Sequence, residues 1–352
     1  MKISTNKQFN KLSKDIEIKH LTKAQKQEIK DYFKSMLGVS VTTKWHELAY
    51  SLTGIYDKRI LPNDLYVGYI QQALIDYRIK IAYDDKNLFP RLLPFANIPH
   101  KIVQCSNGLF YNSDGAMTKQ EALDLCKNID SAIIKPTLFS NSGRNVEKII
   151  VKDGITNLGS ATIEEVFNKY GQNFVIEEVV KQHPKMASLN PSSINTLRVI
   201  SFRKGNKILI CKVMCRIGKP GNVVDNFAAG GMGCAVKENG FLSEYAYTKM
   251  YSKRKNITET GVILKDFQIP GFENVKNFVK KAHLSMPHFL LLGWDVAIGE
   301  DEQPVLIEYN TNFCNIFQLE QGQPTFGEYT DEILPIVKAE HEKRMKRRIY
   351  IC

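Results

Sequence analysis

Two short apolar segments near the C-terminal end of the chain each carry an acidic residue in their middle. They span residues 293–298 (GWDVAI) and 305–310 (VLIEYN), with a turn between them. The pattern predicts a β-hairpin that places Asp295 opposite Glu308. Since side chains two residues apart share one face of a strand, Asn310 is expected beside Glu308. The hairpin therefore constrains this part of the chain to a β-sheet with polar oxygens gathered on one face.

The oxygen atoms of Asp295, Glu308 and Asn310 form a set of hard ligands. Mg²⁺ takes one or two protein carboxylates and completes its octahedron with water and phosphate oxygens, so the hairpin predicts a magnesium site. The alternative is a hairpin whose acids point to solvent. That alternative explains Asp301 and Glu302 in the turn, but it explains poorly two carboxylates flanked by apolar residues within the strands.

The rest of the chain combines helical and strand patterns, which predicts the α+β class. Residues 1–80 lack glycine-rich turns and show apolar residues at helical spacing, as in the run from Ile29 to Leu37, so a helical N-terminal cap is expected. Short β-branched strands are predicted within residues 81–180 and 196–310, separated by turns and amphipathic helices. Residues 329–348 predict a terminal helix.

A lysine and a turn of small residues in the middle of the chain match the parts of a phosphate-binding site. Lys135 ends an apolar strand, and residues 140–145 (SNSGRN) form a turn before the next strand. Such a turn presents backbone N–H groups to an anion, and the lysine supplies a point charge. The segment lacks the patterns of a P-loop or a Rossmann turn. A hairpin loop with an exposed lysine would look the same, so both interpretations stay open at this point.

The strand at residues 174–180 (FVIEEVV) runs into acids and then back into valines. Such a strand can form the floor and hinge of a nucleotide pocket, where backbone groups read adenine and a carboxylate accepts ribose hydroxyls. The alternative is an edge strand that ends in solvated glutamates. The segment taken alone favours the alternative.

The formal net charge of the chain is +11, and its location argues against a nucleic-acid groove. Residues 1–34 contribute +5 and residues 338–348 contribute +4, which leaves the remaining chain at +2. A groove that reads bases concentrates charge within the fold beside aromatic residues, so no specific nucleic-acid partner is expected. The basic ends predict a solubilising surface, with weak attraction to an anionic membrane surface as the alternative.

The sequence shows no segment that predicts membrane insertion or secretion. The longest nearly apolar stretch, Phe289–Ile298, is interrupted by Asp295 and is about half of the ~20 residues that a spanning helix needs. The N-terminal lysines precede no apolar segment, and the seven cysteines show no CxxC spacing. Neither a secretory signal, a disulfide framework nor a zinc site is therefore predicted, and the expected location is the cytoplasm.

The order of these parts resembles the ATP-grasp superfamily, and most closely its branch associated with sugar transfer and bacterial surface polysaccharides, which is related to glutamate ligases. The resemblance covers residues 80–325. Its most specific element is the spacing of the acidic hairpin, because Glu308 follows Asp295 by 13 residues and Asn310 follows Glu308 by 2, as the family's metal ligands do. The parts that carry the resemblance are, in chain order, Lys86 after Asp84 and Asp85, Lys135, the small-residue turn at 140–145, the hinge at 177–180, Arg198 and the triad of Asp295, Glu308 and Asn310.

The resemblance implies an ATP-grasp fold, in which two α+β subdomains clamp ATP. The chain would divide into the helical cap (1–80), a first lobe (81–190) and a second lobe (191–352) that ends in a basic helix. The implied cofactors are ATP and two Mg²⁺ ions, for which Mn²⁺ can substitute.

The resemblance also implies roles for individual residues. Cations around the transferring phosphoryl group would stabilise its charge. The chain departs from the family at Gly293, where many members place an arginine, so either Arg198 or Arg216 is expected to be the catalytic arginine. The implied nucleotide contacts are Lys86, Lys135, Ser142, Gly143, Arg144, Glu177, Glu178, Val179, Val180 and, for the ribose, a nearby carboxylate or His183; the implied metal ligands are Asp295, Glu308, as the bridging ligand, and Asn310.

The segment at residues 224–233 (VDNFAAGGMG) is expected to line the acceptor side of the site. Its glycines allow close backbone approach, and its polar side chains suit a hydroxylated or amino substrate. An ordinary glycine-rich turn between strands is the alternative. The expected substrate contacts are Asn195, Asp225, Asn226, Gly230 and Gly231.

The family's usual chemistry is carboxylate–amine ligation. ATP phosphorylates a carboxylate to an acylphosphate, and an amine then attacks it to give an amide, ADP and phosphate. The expected substrates are small molecules, with a sugar or amino-acid building block of a bacterial surface polysaccharide among them. A kinase that phosphorylates a hydroxyl acceptor would use the same nucleotide site and metals, and it is the main alternative. A non-catalytic nucleotide binder would leave the metal ligands and both lysines without a chemical purpose.

Overall fold

The computed structural model describes residues 2–138, 143–222, 225, 230–248 and 254–346. Within these ranges the strands form two antiparallel sheets of seven strands each, and helices pack against both sheets. This architecture confirms the α+β prediction. The described part of the chain contains no helix that is long and apolar enough to cross a membrane.

The first hundred residues are largely helical. Helix α2 begins at a capping box, in which the Thr22 side chain accepts from the backbone of Gln25, and it ends at Gly38 with a left-handed φ of 74°. Its buried residues Ile29, Phe33 and Leu37 are those that the helical spacing predicts. The helices are α1 (Lys2–Ser13), α2 (Lys23–Leu37), α3 (Lys44–Thr53), α4 (Asn63–Leu65), α5 (Gln71–Leu74), α6 (Tyr77–Tyr83) and α7 (Phe89–Leu92), with a π-helical turn at Tyr66–Ile70 and a 3₁₀ turn at Lys86–Leu88.

The first sheet belongs to a small lobe with a core of its own. Helices α8 (Lys119–Leu125) and α9 (Ile163–Tyr170) each begin at a Thr/Glu capping box, and they bury residues such as Phe167 against Phe174 of the sheet. The strands are β1 (Lys101–Ser106), β2 (Leu109–Asn112), β3 (Gly115–Met117), β4 (Ile129–Pro136), β5 (Glu147–Lys152), β6 (Ile155–Thr156) and β7 (Asn173–Glu178). Their order across the sheet is β3-β2-β1-β7-β4-β5-β6.

The second sheet forms the larger lobe. Its strands are β8 (Thr196–Lys204), β9 (Lys207–Ile217), β10 (Met232–Val236), β11 (Leu242–Thr248), β12 (Arg254–Lys255), β13 (Leu291–Ile298) and β14 (Pro304–Asn310), in the order β12-β11-β10-β9-β8-β13-β14. The helices of this part are α10 (Pro184–Ala187), α11 (Phe272–Leu284), α12 (Gln318–Gln321) and α13 (Thr330–Lys346), with 3₁₀ turns at Leu264–Asp266 and Gly327–Tyr329.

The two faces of the second sheet are covered by different helices. Helix α11 packs on the face that carries Leu197 and Val199. Helices α2 and α13 pack on the other face, over Ile200 and Phe202. Because strand side chains alternate, Arg198 lies on the same face as Ile200, beyond the apolar part that these helices cover. The helices thus leave one polar end of this face for a site.

Strands β13 and β14 form the hairpin that the acidic pattern predicts. Asp295 is the register partner of Glu308, and Gly293 is the partner of Asn310. On its other side Asp295 is the register partner of Arg198 in β8. Backbone pairing therefore brings the predicted carboxylates and one predicted arginine into neighbouring positions.

Candidate functional site

A buried carboxylate on the first sheet pairs with two lysines. Glu177 of β7 contacts both Lys101 of β1 and Lys135 of β4, and all three side chains are less than one-tenth exposed. Burial alone would raise the pKa of Glu177, but the two ammonium groups outweigh it and hold that pKa below its usual range. Burial also lowers the pKa of Lys101. We call these three residues the lysine cluster.

Lys101 belongs to this cluster although the sequence patterns did not predict it. Its context contains the signal that marked Lys135, since both lysines stand at one end of an apolar strand. The ion-pair partner of Lys101, Glu177, lies 76 positions away in the sequence. The pairing of β1 with β7 brings the two side chains together.

Lys86 joins the two lobes. The aspartate before it, Asp85, caps the 3₁₀ turn by accepting from the backbone of Asn87 at 2.9 Å. The Lys86 amide donates to the carbonyl of Thr137 at 3.3 Å, which fixes the turn to the first sheet. The side chain extends to the second sheet, where Nζ lies 3.6 Å from Oε2 of Glu308. A positive charge of one lobe thus meets a negative charge of the other.

Asp295 lies at the centre of the polar end of the second sheet and is fully buried. Arg198 donates to both of its oxygens, from Nε at 2.5 Å and from Nη2 at 2.9 Å, and Nη2 of Arg216 lies 3.1 Å from Oδ2. Burial would raise the pKa of Asp295, but the two guanidinium groups together lower it to about 2. Asp295 is therefore an anion that both arginines orient.

Glu308 and Asn310 complete this group on β14. The Asn310 amide nitrogen lies 3.3 Å from Asp295 Oδ2 and 3.5 Å from Glu308 Oε1. Burial is the main cause that raises the pKa of Glu308, and the negative charge of Asp295 is the second. Two adjacent carboxylates repel each other, and a divalent cation relieves that repulsion.

The donor set fits Mg²⁺, which accepts carboxylate and amide oxygens. Among the described residues no group of three or more His, Cys, Asp or Glu side chains could hold a metal ion. A site here would therefore consist of the two carboxylates of Asp295 and Glu308, with the amide of Asn310 as the third protein ligand that the sequence predicts. Rotation of that amide by half a turn presents its oxygen in place of its nitrogen.

A further buried pair holds Arg216. Asp225 accepts from the Thr196 hydroxyl at 2.5 Å and from the Thr196 backbone at 3.1 Å, and its other oxygen lies 3.4 Å from Nη2 of Arg216. Arg216 in turn donates to the Thr196 hydroxyl from Nε at 3.0 Å. The carboxylate of Asp225 thus orients Arg216, and a direct contact of Asp225 with a substrate stays a prediction.

The structure gives a physical reason for the glycine at position 293. A Cβ atom at this position would lie only 2.9 Å from Cδ1 of Phe313. An arginine two residues before Asp295 therefore has no room here. Arg198 of β8 and Arg216 of β9 are the guanidinium groups that contact Asp295.

Several other predicted residues lie outside the lysine cluster and outside the group around Asp295. The Glu178 carboxylate is exposed and lies 3.5 Å from His100. His183 accepts from the backbone of Lys185 at 3.1 Å and lies 3.7 Å from Glu302, in the hairpin turn. Val179 and Val180 are half-buried directly after β7, Gly143 and Arg144 lie in a turn before β5, Gly230 and Gly231 directly precede β10, and Ser142 and Asn226 lie outside the described residues.

Asn195 is also predicted to contact a substrate, and it is fully buried. Its amide nitrogen donates to the carbonyls of Met186 and Asn190, each at 2.9 Å. These bonds fix the segment between α10 and β8, directly before Thr196. In this structure Asn195 shapes the backbone that leads to Thr196 and Arg198 in β8. A contact of Asn195 with a substrate remains a prediction.

Comparison with known proteins identifies one family. The family model described as sugar-transfer associated ATP-grasp matches residues 69–331. Comparison with curated protein sequences gives no match. Among solved structures, the L-amino acid ligase from Bacillus licheniformis is 11% identical, with a TM-score of 0.41, and the match covers 73% of this chain and 48% of that one.

Two further solved structures are similar to this chain. D-alanine–D-alanine ligase from Bacillus anthracis complexed with ATP is 13% identical, with a TM-score of 0.39, over 76% of this chain and 68% of that one. N5-carboxyaminoimidazole synthetase from Staphylococcus aureus complexed with ADP is 8% identical, with a TM-score of 0.41, over 73% and 52%. The chain thus spans about half the length of the L-amino acid ligase and of the synthetase.

Proposed function

The chain belongs to the sugar-transfer associated ATP-grasp family, and on that premise we propose that it is an ATP-dependent ligase that joins a carboxylate to an amine through an acylphosphate. The observation that carries the proposal is that a group of cations on one lobe lies next to a group of oxygen ligands on the other lobe. The lysine cluster and Lys86 supply cations on one side, and Asp295 and Glu308 supply oxygen ligands on the other, with Lys86 and Glu308 3.6 Å apart.

The lysines support a nucleotide site. Lys86, Lys101 and Lys135 carry three positive charges against the two carboxylates of Glu177 and Glu308, and each lysine is at least nine-tenths buried. Buried cations in excess over their partners favour a polyanion, and a triphosphate has the matching charge. These residues therefore fit ATP, with the ammonium groups on its phosphate oxygens.

The arginines and carboxylates support the reacting end of the site. Glu308, Asp295 and Asn310 would hold Mg²⁺, which when bound supplies neutralisation of phosphate charge. Arg198 and Arg216, held in place by Asp295 and Asp225, would stabilise the charge on the transferring phosphoryl group. Because both guanidinium groups are already oriented, little reorganisation is needed when that charge develops.

The proposed reaction has two steps. A carboxylate oxygen of the first substrate attacks the γ-phosphorus, and ADP leaves with the electron pair of the broken P–O bond. An amine nitrogen of the second substrate then attacks the acyl carbon, phosphate leaves, and loss of a proton from nitrogen gives the amide. The family description, sugar-transfer associated ATP-grasp, supports a sugar-linked substrate, and the substrate that we propose is a sugar or amino-acid building block of a bacterial surface polysaccharide. Dependence on ATP supports a cytoplasmic location.

An isotope experiment tests the acylphosphate. A screen of ATP consumption against uronic acids, sugar nucleotides and amino acids, taken in pairs, identifies the substrates. The selected carboxylate is then labelled with ¹⁸O in both oxygens, and the released phosphate is analysed by mass spectrometry. Transfer of one ¹⁸O to phosphate, with ADP formed only when both substrates are present, is the expected result. A phosphorylated acceptor without free phosphate would make the chain a kinase and contradict the proposal.

A charge-neutralising pair of variants tests the reacting end. Glu308→Gln should lose at least ~100-fold in turnover while its fold is retained, because a metal ligand of the transition state loses its charge. Glu300→Gln is the matched control, since Glu300 is an exposed acid in the turn of the same hairpin. Activity of Glu308→Gln within tenfold of the parent would remove this residue from the site.

A further inference from the structure

A cavity of about 1100 Å³ opens against the second sheet. Lys212 of β9, Ala235 of β10 and Tyr247 of β11 line it from the second sheet, and Glu320 of α12 lines it from the opposite side. Its lining contains none of the residues placed above at ATP, Mg²⁺ or the transferring phosphoryl group.

The register of the second sheet connects the cavity to the reacting end. Arg216 of β9 pairs with Gly233 of β10, and Gly233 pairs with Tyr247 of β11. Directly paired residues of antiparallel strands point to the same face. Tyr247 in the cavity and Arg216 beside Asp295 therefore share one face, about 10 Å apart at the usual strand spacing. The residue between them, Gly233, has no side chain to separate the two.

Glu320 is the unusual group of this cavity. It is only 5% exposed, and within the described part of the chain neither of its carboxylate oxygens has a hydrogen-bond partner. Lys212, one of the cations that line the cavity, donates instead to Oε1 of Gln323. Burial raises the pKa of Glu320 well above its usual range.

A buried carboxylate without a partner is costly, because it loses its hydration and gains no hydrogen bond in return. Most buried polar side-chain atoms are paired with protein groups or ordered water, so each exception calls for an explanation, and a ligand is one. The ligand must bring hydrogen-bond donors, and a positive charge on it would offset the burial that favours the neutral carboxyl of Glu320. An amino group has both properties, and an amine is the second substrate of the proposed ligase.

We propose that Glu320 binds the amino group of the acceptor substrate, with the cavity floor at Lys212, Ala235 and Tyr247 holding the rest of that molecule. The inference rests on the proposed function, because it places the amine of that reaction. From this cavity the acceptor approaches Arg216 along the face of the sheet, across Gly233.

The test measures the binding of two amines to the full chain in the presence of Mg²⁺ and a non-hydrolysable ATP analogue. The probes are glucosamine and ethanolamine, and their N-acetyl derivatives are neutral controls of similar shape. The variant is Glu320→Gln, which keeps the shape and removes the charge. Glu244→Gln is the matched control, because Glu244 lines the same cavity and is exposed.

At least one amine should bind the parent chain, and its N-acetyl derivative should not. Glu320→Gln should weaken the binding of that amine by about tenfold or more, as expected for a lost charge-assisted hydrogen bond, whereas Glu244→Gln should change it by less than twofold. The comparison with N-acetyl derivatives uses the parent chain, so it tests the inference even if Glu320→Gln fails to fold.

Three results would overturn the inference: no binding of either amine, equal binding of the N-acetyl derivatives, or unchanged binding to a folded Glu320→Gln variant. The isotope experiment separates this outcome from the fate of the proposed function. Transfer of ¹⁸O to phosphate together with failure of the amine comparison keeps the ligase and removes the amine site. Amine binding that depends on Glu320, without ¹⁸O transfer, keeps the site and removes the acylphosphate.

Discussion

Replacing Glu177 by glutamine tests whether the lysine cluster is built for an anionic ligand. The Glu177 side chain is 4% exposed, and those of Lys101 and Lys135 are 8% exposed. The variant keeps the size of the side chain but leaves two buried ammonium groups without a compensating charge. Removing one member of a buried ion pair costs about 3–5 kcal/mol, so we expect the free energy of unfolding to fall by about that amount.

Thermal unfolding measures this loss. For a domain of about 150–250 residues, a loss of about 3–5 kcal/mol corresponds to a fall of roughly 6–20 °C in the melting temperature. The neighbouring Glu178→Gln is the matched control, because the Glu178 side chain is 63% exposed and lies 3.5 Å from His100. Exposed positions of this kind change stability by about 0.5 kcal/mol or less.

A ligand should reverse part of the loss. Tripolyphosphate or a non-hydrolysable ATP analogue brings negative charge to the unpaired lysines, so it should raise the melting temperature of Glu177→Gln more than that of the parent. If Glu177→Gln is no less stable than Glu178→Gln, or gains no more from the anion than the parent does, the lysine cluster is not the phosphate site that we propose.

The pH dependence of the same pair provides an independent check. The pKa of Glu177 is lowered in the folded chain, so its contribution to stability is present above its unfolded pKa of about 4.3 and is lost as the pH falls through the folded value. The difference in stability between parent and Glu177→Gln should therefore shrink as the pH falls below about 4. A difference that grows in acid would contradict this sign.

Three other perturbations have defined outcomes. Asp225→Asn should lower kcat/KM by about tenfold or more without changing the Kd for the ATP analogue, because Asp225 orients Arg216 and does not contact the lysine cluster. An equal change in kcat/KM and in this Kd would instead place Asp225 at the nucleotide. Gly293→Ala should destabilise the chain by about 1–3 kcal/mol, since its Cβ would lie 2.9 Å from Phe313, and Phe313→Leu in the same chain should recover part of that loss in a double-mutant cycle; strictly additive effects would refute the contact. Deleting residues 345–352 should leave kcat on a small substrate nearly unchanged and weaken any binding to anionic vesicles, which should itself fall as salt rises because exposed charges are screened over about 8–10 Å; loss of turnover in a folded truncation would place the tail at the active site.

Local sequence patterns determined the helices, the strands and the acidic hairpin. The spacing of Ile29, Phe33 and Leu37 was enough for α2, and the threonine–glutamate pairs began α8 and α9 where the capping box requires. The polar residues within two apolar segments also predicted one hairpin with Asp295 and Glu308 in its strands, and a register shift between Asp295 and Val296 completes their pairing. These features depend on backbone geometry over a few residues, which is why the sequence sufficed.

The tertiary structure decided which distant groups meet. Lys101 reaches Glu177 only through the pairing of β1 with β7, Arg198 reaches Asp295 across 97 positions of the chain, and Lys86 reaches Glu308 from the other lobe. The unpartnered state of Glu320 also depends on its burial, which no local pattern indicates. Charges and cavities of this kind depend on strand order and on packing between elements far apart in the sequence, so they became visible only when the two sheets and their helices were assembled.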